Sequence, residues 1–185
     1  MRKLLLLCCL AFSISSVYAQ HTGGLQNIGL STQLYPAGTI IQAQASWPLS
    51  EKSLFVAKLG YNLAERQDFG EHDQEDGGGP GITAGYKQYL KPDYQGWFAE
   101  ARLSTWFLSI DWRDNNPPAS GNTDITVVQP TIAIGYDFLL KGEKVKLGIM
   151  AAAGYELNMI TSGEDVGQGG ISILGASVAF RLGQE

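Results

Sequence analysis

Taken two residues at a time, this chain sorts into two faces. Between Val145 and Met159 one face carries Val145, Leu147, Ile149, Ala151, Ala153, Tyr155, Leu157 and Met159, and the other Lys146, Gly148, Met150, Ala152, Gly154, Glu156 and Asn158. Side chains alternate across an extended strand, so the segment has one dry side and one wet side. The pattern recurs over residues 25–34, 39–47, 54–63, 82–90, 97–110, 125–140 and 171–182. On strand 97–110 one face holds Trp97, Ala99, Ala101, Leu103, Thr105 and Phe107, while the other holds Phe98, Glu100, Arg102, Ser104 and Trp106. No charge falls on the apolar face of any of these segments. The pattern predicts an all-β protein of eight antiparallel strands.

The first residues read differently. Arg2 and Lys3 precede an apolar run from Leu4 to Ile14, and Val17-Tyr18-Ala19 fits the small-x-small rule for cleavage before Gln20. Residues 1–19 are therefore expected to be a signal peptide and residues 20–185 a single barrel domain. The apolar run is too short for a membrane anchor. Cys8 and Cys9 both lie within it, and Leu7 is not the small residue a lipoprotein signal needs. The mature chain then has no cysteine for a disulfide, a thiol nucleophile or a metal, and no cofactor is expected.

Connection lengths add a parity argument. Short turns fall at 35–38, 48–53, 91–95 and 141–144, and long connections at 64–81, 111–124 and 161–170. With both termini at one end, connections two, four and six share that end, and these are short; at the other end only the first connection, 35–38, breaks the rule by being short. Short periplasmic turns and longer outer loops characterise transmembrane barrels, in which only a closed sheet can satisfy its edges within lipid. A soluble barrel would turn its apolar face inward and need an outer face dense in Lys and Glu. Here the polar face is rich in glycine and sparse in charge, which suits a packed polar lumen. Trp47, Phe55, Trp97, Phe138 and Phe180 gather near the short-turn end, as an interfacial girdle would. A Gly-Tyr pair recurs at Gly60-Tyr61, Gly85-Tyr86, Gly135-Tyr136 and Gly154-Tyr155. Its inward glycines are expected to make room for Tyr89, Phe98 and Trp106. Pro130, which cannot donate to a ladder, is expected at a bulge near the outer end of its strand.

The inward charges are Lys58, Lys87, Arg102, Lys146 and Arg181 against Glu100, Asp137 and Glu156. Unpaired charge in so confined a space is costly, so a salt-bridged network is expected, centred on Arg102 and Lys58 with Glu100 and Glu156. The outer connections carry eleven acids (Glu65, Asp68, Glu71, Asp73, Glu75, Asp76, Asp111, Asp114, Asp124, Glu164, Asp165) and two bases (Arg66, Arg113), a net of minus nine. The stretch Asp68, Glu71, Asp73, Glu75 and Asp76 reads as a solvated loop, separable from the barrel. Its oxygens could meet a divalent cation, although the spacing matches no EF-hand. So acidic a surface excludes nucleic acid as a partner. His21 and His72 are the two histidines, and no serine lies in the loop with His72, so no Ser-His-carboxylate site is expected.

The chain resembles the small outer-membrane β-barrel proteins, the broad group that includes the OmpX-like and OmpA-barrel-like families. The resemblance covers about residues 22–183 and rests on the strand pattern, the loop parity and the final amphipathic strand from Leu174 to Leu182. It implies residence in the bacterial outer membrane, contact with outer-membrane lipid and insertion by the barrel-assembly machinery. In that group the last strand commonly ends on an aromatic residue that the machinery is thought to read; here Phe180 is followed by Arg181-Leu182-Gly183-Gln184-Glu185. The group shares no catalytic motif. The expected role is a non-enzymatic, monomeric barrel with a plugged lumen, acting through its surface loops on a ligand or protein partner. The alternatives are a narrow pore for water, ions or small solutes, and an enzyme that modifies outer-leaflet lipid.

Overall fold

A computed structural model describes residues 24–67, 71–140 and 144–182. The expected signal peptide, its cleavage after Ala19, and Asp68 lie outside the described residues. Among those described, eight strands run in chain order: β1 (Asn27–Tyr35), β2 (Gly38–Ser50), β3 (Ser53–Gln67), β4 (Gln74–Tyr89), β5 (Gly96–Asn115), β6 (Pro118–Leu139), β7 (Val145–Ser162) and β8 (Gly169–Arg181). Each pairs antiparallel with the next, and β1 pairs with β8 from Asn27↔Arg181 to Leu34↔Leu174, so the sheet closes on itself. No edge is left unpaired.

The period-two pattern becomes inside and outside. Along β5 buried residues alternate with exposed ones, with Phe98, Glu100, Arg102, Ser104, Trp106, Leu108, Ile110 and Trp112 inward. Outward lie Leu30, Leu59, Ile82, Leu103, Ile132, Ile149 and Leu174, each more than half exposed. Two aromatic rings bound this apolar belt. At the short-turn end Trp97 meets Tyr136 edge-on at 5.4 Å and Trp47 meets Phe55 at 5.9 Å. Towards the other end stand Tyr61, Phe107 and Tyr155. From Trp97 to Phe107 a strand tilted as barrel strands are rises about 25 Å, the height of a transmembrane barrel's apolar band.

Strands β3 to β7 are longer than their sequence pattern suggests, mostly at the end away from the short turns. Much of 64–81 and 111–124 is strand, so β3–β4 and β5–β6 are long hairpins that rise past the belt. Glycine and acid between apolar runs read as loop, but here each strand has a partner on both sides, and pairing overrides local preference. The three glycines 77–79 are required by closeness: a Cβ on Gly79 would stand 1.7 Å from the Phe107 carbonyl oxygen. Proline is placed where pairing lapses. Pro130 faces Leu103 on β5, while β6–β7 pairing skips from Val128 to Thr131, next to a register shift at Thr126/Val127. Pro80 likewise sits in a gap of the β4–β5 ladder.

Candidate functional site

The side chains that point into this narrow bore sort by height into three layers. Nearest the short turns is a charged layer. The Asp137 carboxylate accepts from Lys87 Nζ at 2.8 Å and from the Tyr89 hydroxyl, with Lys146 Nζ at 3.5 Å. Lys58 Nζ lies 3.6 Å from Glu100. Lys87 Nζ also stands 3.6 Å from the centre of the Phe98 ring. A Cβ on Gly135 would fall 2.4 Å from that same ring, so glycine here is a packing requirement. Arg181, at the end of β8, is half-buried at this end of the barrel.

Above it runs a belt of uncharged groups tied by one guanidinium. Arg102 on β5 reaches across to β1, where Nη1 donates to Gln33 Oε1 at 3.3 Å, while its Nε donates to Thr131 Oγ1 at 3.1 Å. Gln33 donates to Gln42, Gln42 donates to Thr83 Oγ1 at 2.9 Å, and Thr83 shares a proton with Ser104 Oγ at 2.8 Å. The chain of bonds thus leaves β5, visits β1, β2 and β4, and returns to β5.

The third layer lies towards the hairpin end. Arg66 Nη1 donates to Glu75 Oε2 at 2.9 Å, and Nη2 donates to Glu156 Oε1. Glu156 also accepts from Gln129 Nε2 at 2.7 Å, whose own oxygen accepts from Trp106 Nε1 at 2.8 Å. Around and above these groups pack Ile40, Leu108, Ile110, Trp112, Ile125, Val127 and Ile173. A Cβ on Gly81 would collide with the Trp106 ring at 2.2 Å. Inside the barrel, beside Asn27, Ser31, Lys58, Glu100, Asp137 and Lys146, is a cavity of about 40 Å³. That is room for about three waters.

The mouth at the hairpin end is covered. Val166, in the connection between β7 and β8, is buried among the apolar residues of the third layer. Gly167 N donates to the Glu75 carboxylate at 3.2 Å, and Thr123 Oγ1 donates to the Glu164 carbonyl at 3.0 Å. His72 lies stacked on Trp112 with ring centres 4.1 Å apart. Its Nδ1 is 2.9 Å from Asp114 Oδ2 and its Nε2 is 3.1 Å from the Asp165 carbonyl oxygen. Burial opposes a charge on this ring, but the Asp114 carboxylate and the Asp165 carbonyl outweigh it and hold the His72 pKa above its ordinary value. Asp114 is lowered in turn by the bonds from His72 and from the Asp73 amide.

Two expectations need correcting. Glu156 is not a partner of Arg102 or Lys58; it belongs to Arg66, a residue read as a loop base. Barrel tilt sets such pairings, and it brings Arg66 of β3 within reach of Glu156 on β7. Nor is the acidic stretch a solvated, separable loop. Glu75 lies within β4, is 1 % exposed, and gathers Arg66 together with the amides of Glu71, His72 and Gly167. Asp76 also lies in β4, on the outer side, and Asp73 accepts from Asn115 N at 2.8 Å. Glu71 is exposed. Among the described residues no group of three His, Cys, Asp or Glu side chains is placed to hold a metal ion. The roles of Arg66, His72 and Val166 went unread in the sequence. The one available sign was Arg66 itself, a lone base amid acids.

This eight-stranded, up-and-down closed barrel has the fold of bacterial outer-membrane barrels. It is similar in structure to Neisserial surface protein A (NspA), with a TM-score of 0.56 and 13% identity over 85% of this chain and 96% of that one. The N-terminal barrel domain of Pseudomonas aeruginosa OprF aligns with a TM-score of 0.47 and 14% identity, covering 86% and 100%. Ail of Yersinia pestis, in complex with sucrose octasulfate, aligns at 0.48 and 10% identity, covering 85% and 97%. No family model matches the chain, and no curated protein is significantly similar to it in sequence.

Proposed function

We propose that this protein is a non-enzymatic, monomeric barrel of the bacterial outer membrane, closed to solutes, which acts through the surface of its long hairpins in adhesion, envelope integrity or the binding of a partner. The observation that carries the reading is the outward belt: large apolar side chains, free of charge and bounded by two aromatic rings, over the height of a bilayer's apolar core. Water would penalise such a surface, whereas lipid solvates it. The shared fold with NspA, by its name a surface protein, supports the placement. The three filled layers, an internal cavity of about 40 Å³ and the seat of Val166 in the mouth support a lumen that does not conduct. For catalysis the chemistry is unfavourable. Both ring nitrogens of His72 are engaged by Asp114 and a carbonyl, and among the described residues no hydroxyl is one of its hydrogen-bond partners. The outward residues of the hairpins, Glu65, Asp111 and Asp124 among them, give the surface an acidic character that suits a cationic or divalent-bridged partner.

The test pairs two measurements on native protein from isolated outer membranes. A closed barrel shifts in gel mobility on boiling in SDS, and in a planar bilayer the purified protein gives no current steps. A soluble protein without the shift would overturn the membrane placement, and steady single-channel currents would overturn the closed lumen.

A further inference from the structure

The bonding around His72 requires a proton that the ring holds only part of the time. A carbonyl oxygen can only accept, so the contact of Nε2 with Asp165 needs a hydrogen on Nε2. Asp114 is a carboxylate, so the contact of Nδ1 with it needs a hydrogen on Nδ1. Neutral imidazole has one hydrogen and cannot make both bonds. The arrangement therefore holds an imidazolium, stacked on Trp112.

The ring is also where three elements meet. His72 lies in the connection that leads into β4, Asp114 is at the tip of β5, and Asp165 belongs to the connection that covers the mouth. The charged groups facing it are Asp114 from β5 and Glu75 from β4, the latter already paired with Arg66 of β3. From the β7–β8 connection it meets the Asp165 carbonyl. Asp73 accepts from Asn115 N while Asp73 N donates to Asp114, which locks the acceptor in place.

We propose that the proton between His72 and Asp114 is a pH-sensitive clasp: with it in place, residues 163–168 are pinned over the mouth with Val166 inside, and its loss loosens them. Deprotonated, the ring either turns a lone pair towards the Asp114 carboxylate or gives up the Asp165 carbonyl. In either case it no longer ties β5 to the covering connection. Four ties remain, Gly167 N to the Glu75 carboxylate, Thr123 Oγ1 to the Glu164 carbonyl, Asn158 Nδ2 to the Val166 carbonyl and Asn158 N to Gln168 Oε1, so the segment loosens without leaving the mouth. The direction follows from linkage. A histidine whose folded pKa is raised contributes stability that is complete below its unfolded value near 6.5 and is lost as pH rises through the folded value. The cover is firm in acid and loosens towards neutral and alkaline pH.

The experiment is a titration by NMR of the isotopically labelled protein in lipid nanodiscs. His72 ring signals should titrate above the ordinary histidine value. The amides of Asp165, Val166 and Gly167 should shift with the same midpoint, and exchange of Gly167 N–H, corrected for its intrinsic pH dependence, should quicken about tenfold across it, the equivalent of one charge-assisted hydrogen bond. Asp114→Asn, a swap of near-equal size at a half-buried position on the barrel rim, should lower the His72 midpoint and carry the amide transition down with it. His72→Gln should abolish the transition. A His72 midpoint at or below the ordinary value, amides indifferent to it, or a midpoint unmoved by Asp114→Asn would each overturn the clasp.

Discussion

Arg66→Met should be among the most damaging single changes in the barrel. The guanidinium stands between two carboxylates that are 1 % and 2 % exposed, Glu75 and Glu156. Removing it strands both, and breaking a buried ion pair in this way costs about 3–5 kcal/mol. The loss is unevenly shared. Glu75 keeps backbone amides from Glu71 at 2.8 Å, His72 at 3.3 Å and Gly167 at 3.2 Å, whereas Glu156 keeps Gln129 at 2.7 Å. Neutralising Glu156 should therefore rescue more than neutralising Glu75. Relative to Arg66→Met alone, Arg66→Met with Glu156→Gln should recover about 2 kcal/mol, the scale of one charged hydrogen bond. The pair with Glu75→Gln should recover less. Equilibrium guanidinium unfolding in lipid vesicles, followed by tryptophan emission, measures all three variants. A loss under about 1 kcal/mol for Arg66→Met, or better rescue from Glu75→Gln, would refute the reasoning.

Other variants probe the belt, the packing and the hairpins. Leu103→Arg, at the middle of the outward face of β5, should cost about 2–4 kcal/mol in the same vesicle assay, and a neutral effect would mean that this face does not meet lipid. Gly135→Ala sets a Cβ 2.4 Å from both the Phe98 ring and the Ile149 carbonyl oxygen, so it should lose about 1–3 kcal/mol and weaken resistance to unheated SDS. Glu65, Asp76 and Asp111 stand directly opposite one another across three strands. Asp76→Asn should therefore stabilise by about 0.2–1 kcal/mol at low salt. That gain should fade as salt is added, and destabilisation at low salt would show that the row is not repulsive.

What could be read from sequence was whatever repeats with period two. Within the lipid-facing belt the inward charges follow from counting alternate residues, because a one-residue slip would carry Lys58 or Glu100 into lipid. Pairing could not be read so directly. Arg66 and Glu156 are 90 residues apart and meet only because the strands tilt around a closed sheet. The acidic stretch misled for a local reason: Gln74-Glu75-Asp76-Gly77-Gly78-Gly79 has poor strand propensity, and it is extended because β3 and β5 flank it. Val166 is a lone apolar residue among small and acidic neighbours. Nothing in its local pattern sets it apart from an exposed valine.

The hydrogen-bonded belt tied by Arg102 bears on how such a chain could verify its own completion. Its route depends on Gln33, and Gln33 is on β1, the first strand made, which must pair with the last. Until β8 arrives to fix β1 from its far side, the guanidinium of Arg102 has no settled acceptor across the bore. A barrel joined in the wrong register would set Gln33 at the wrong height or facing outward, leaving Arg102 with Thr131 and Met150 alone of these partners. The interior thus adds a cost to a misjoined seam, set from a distance of several strands.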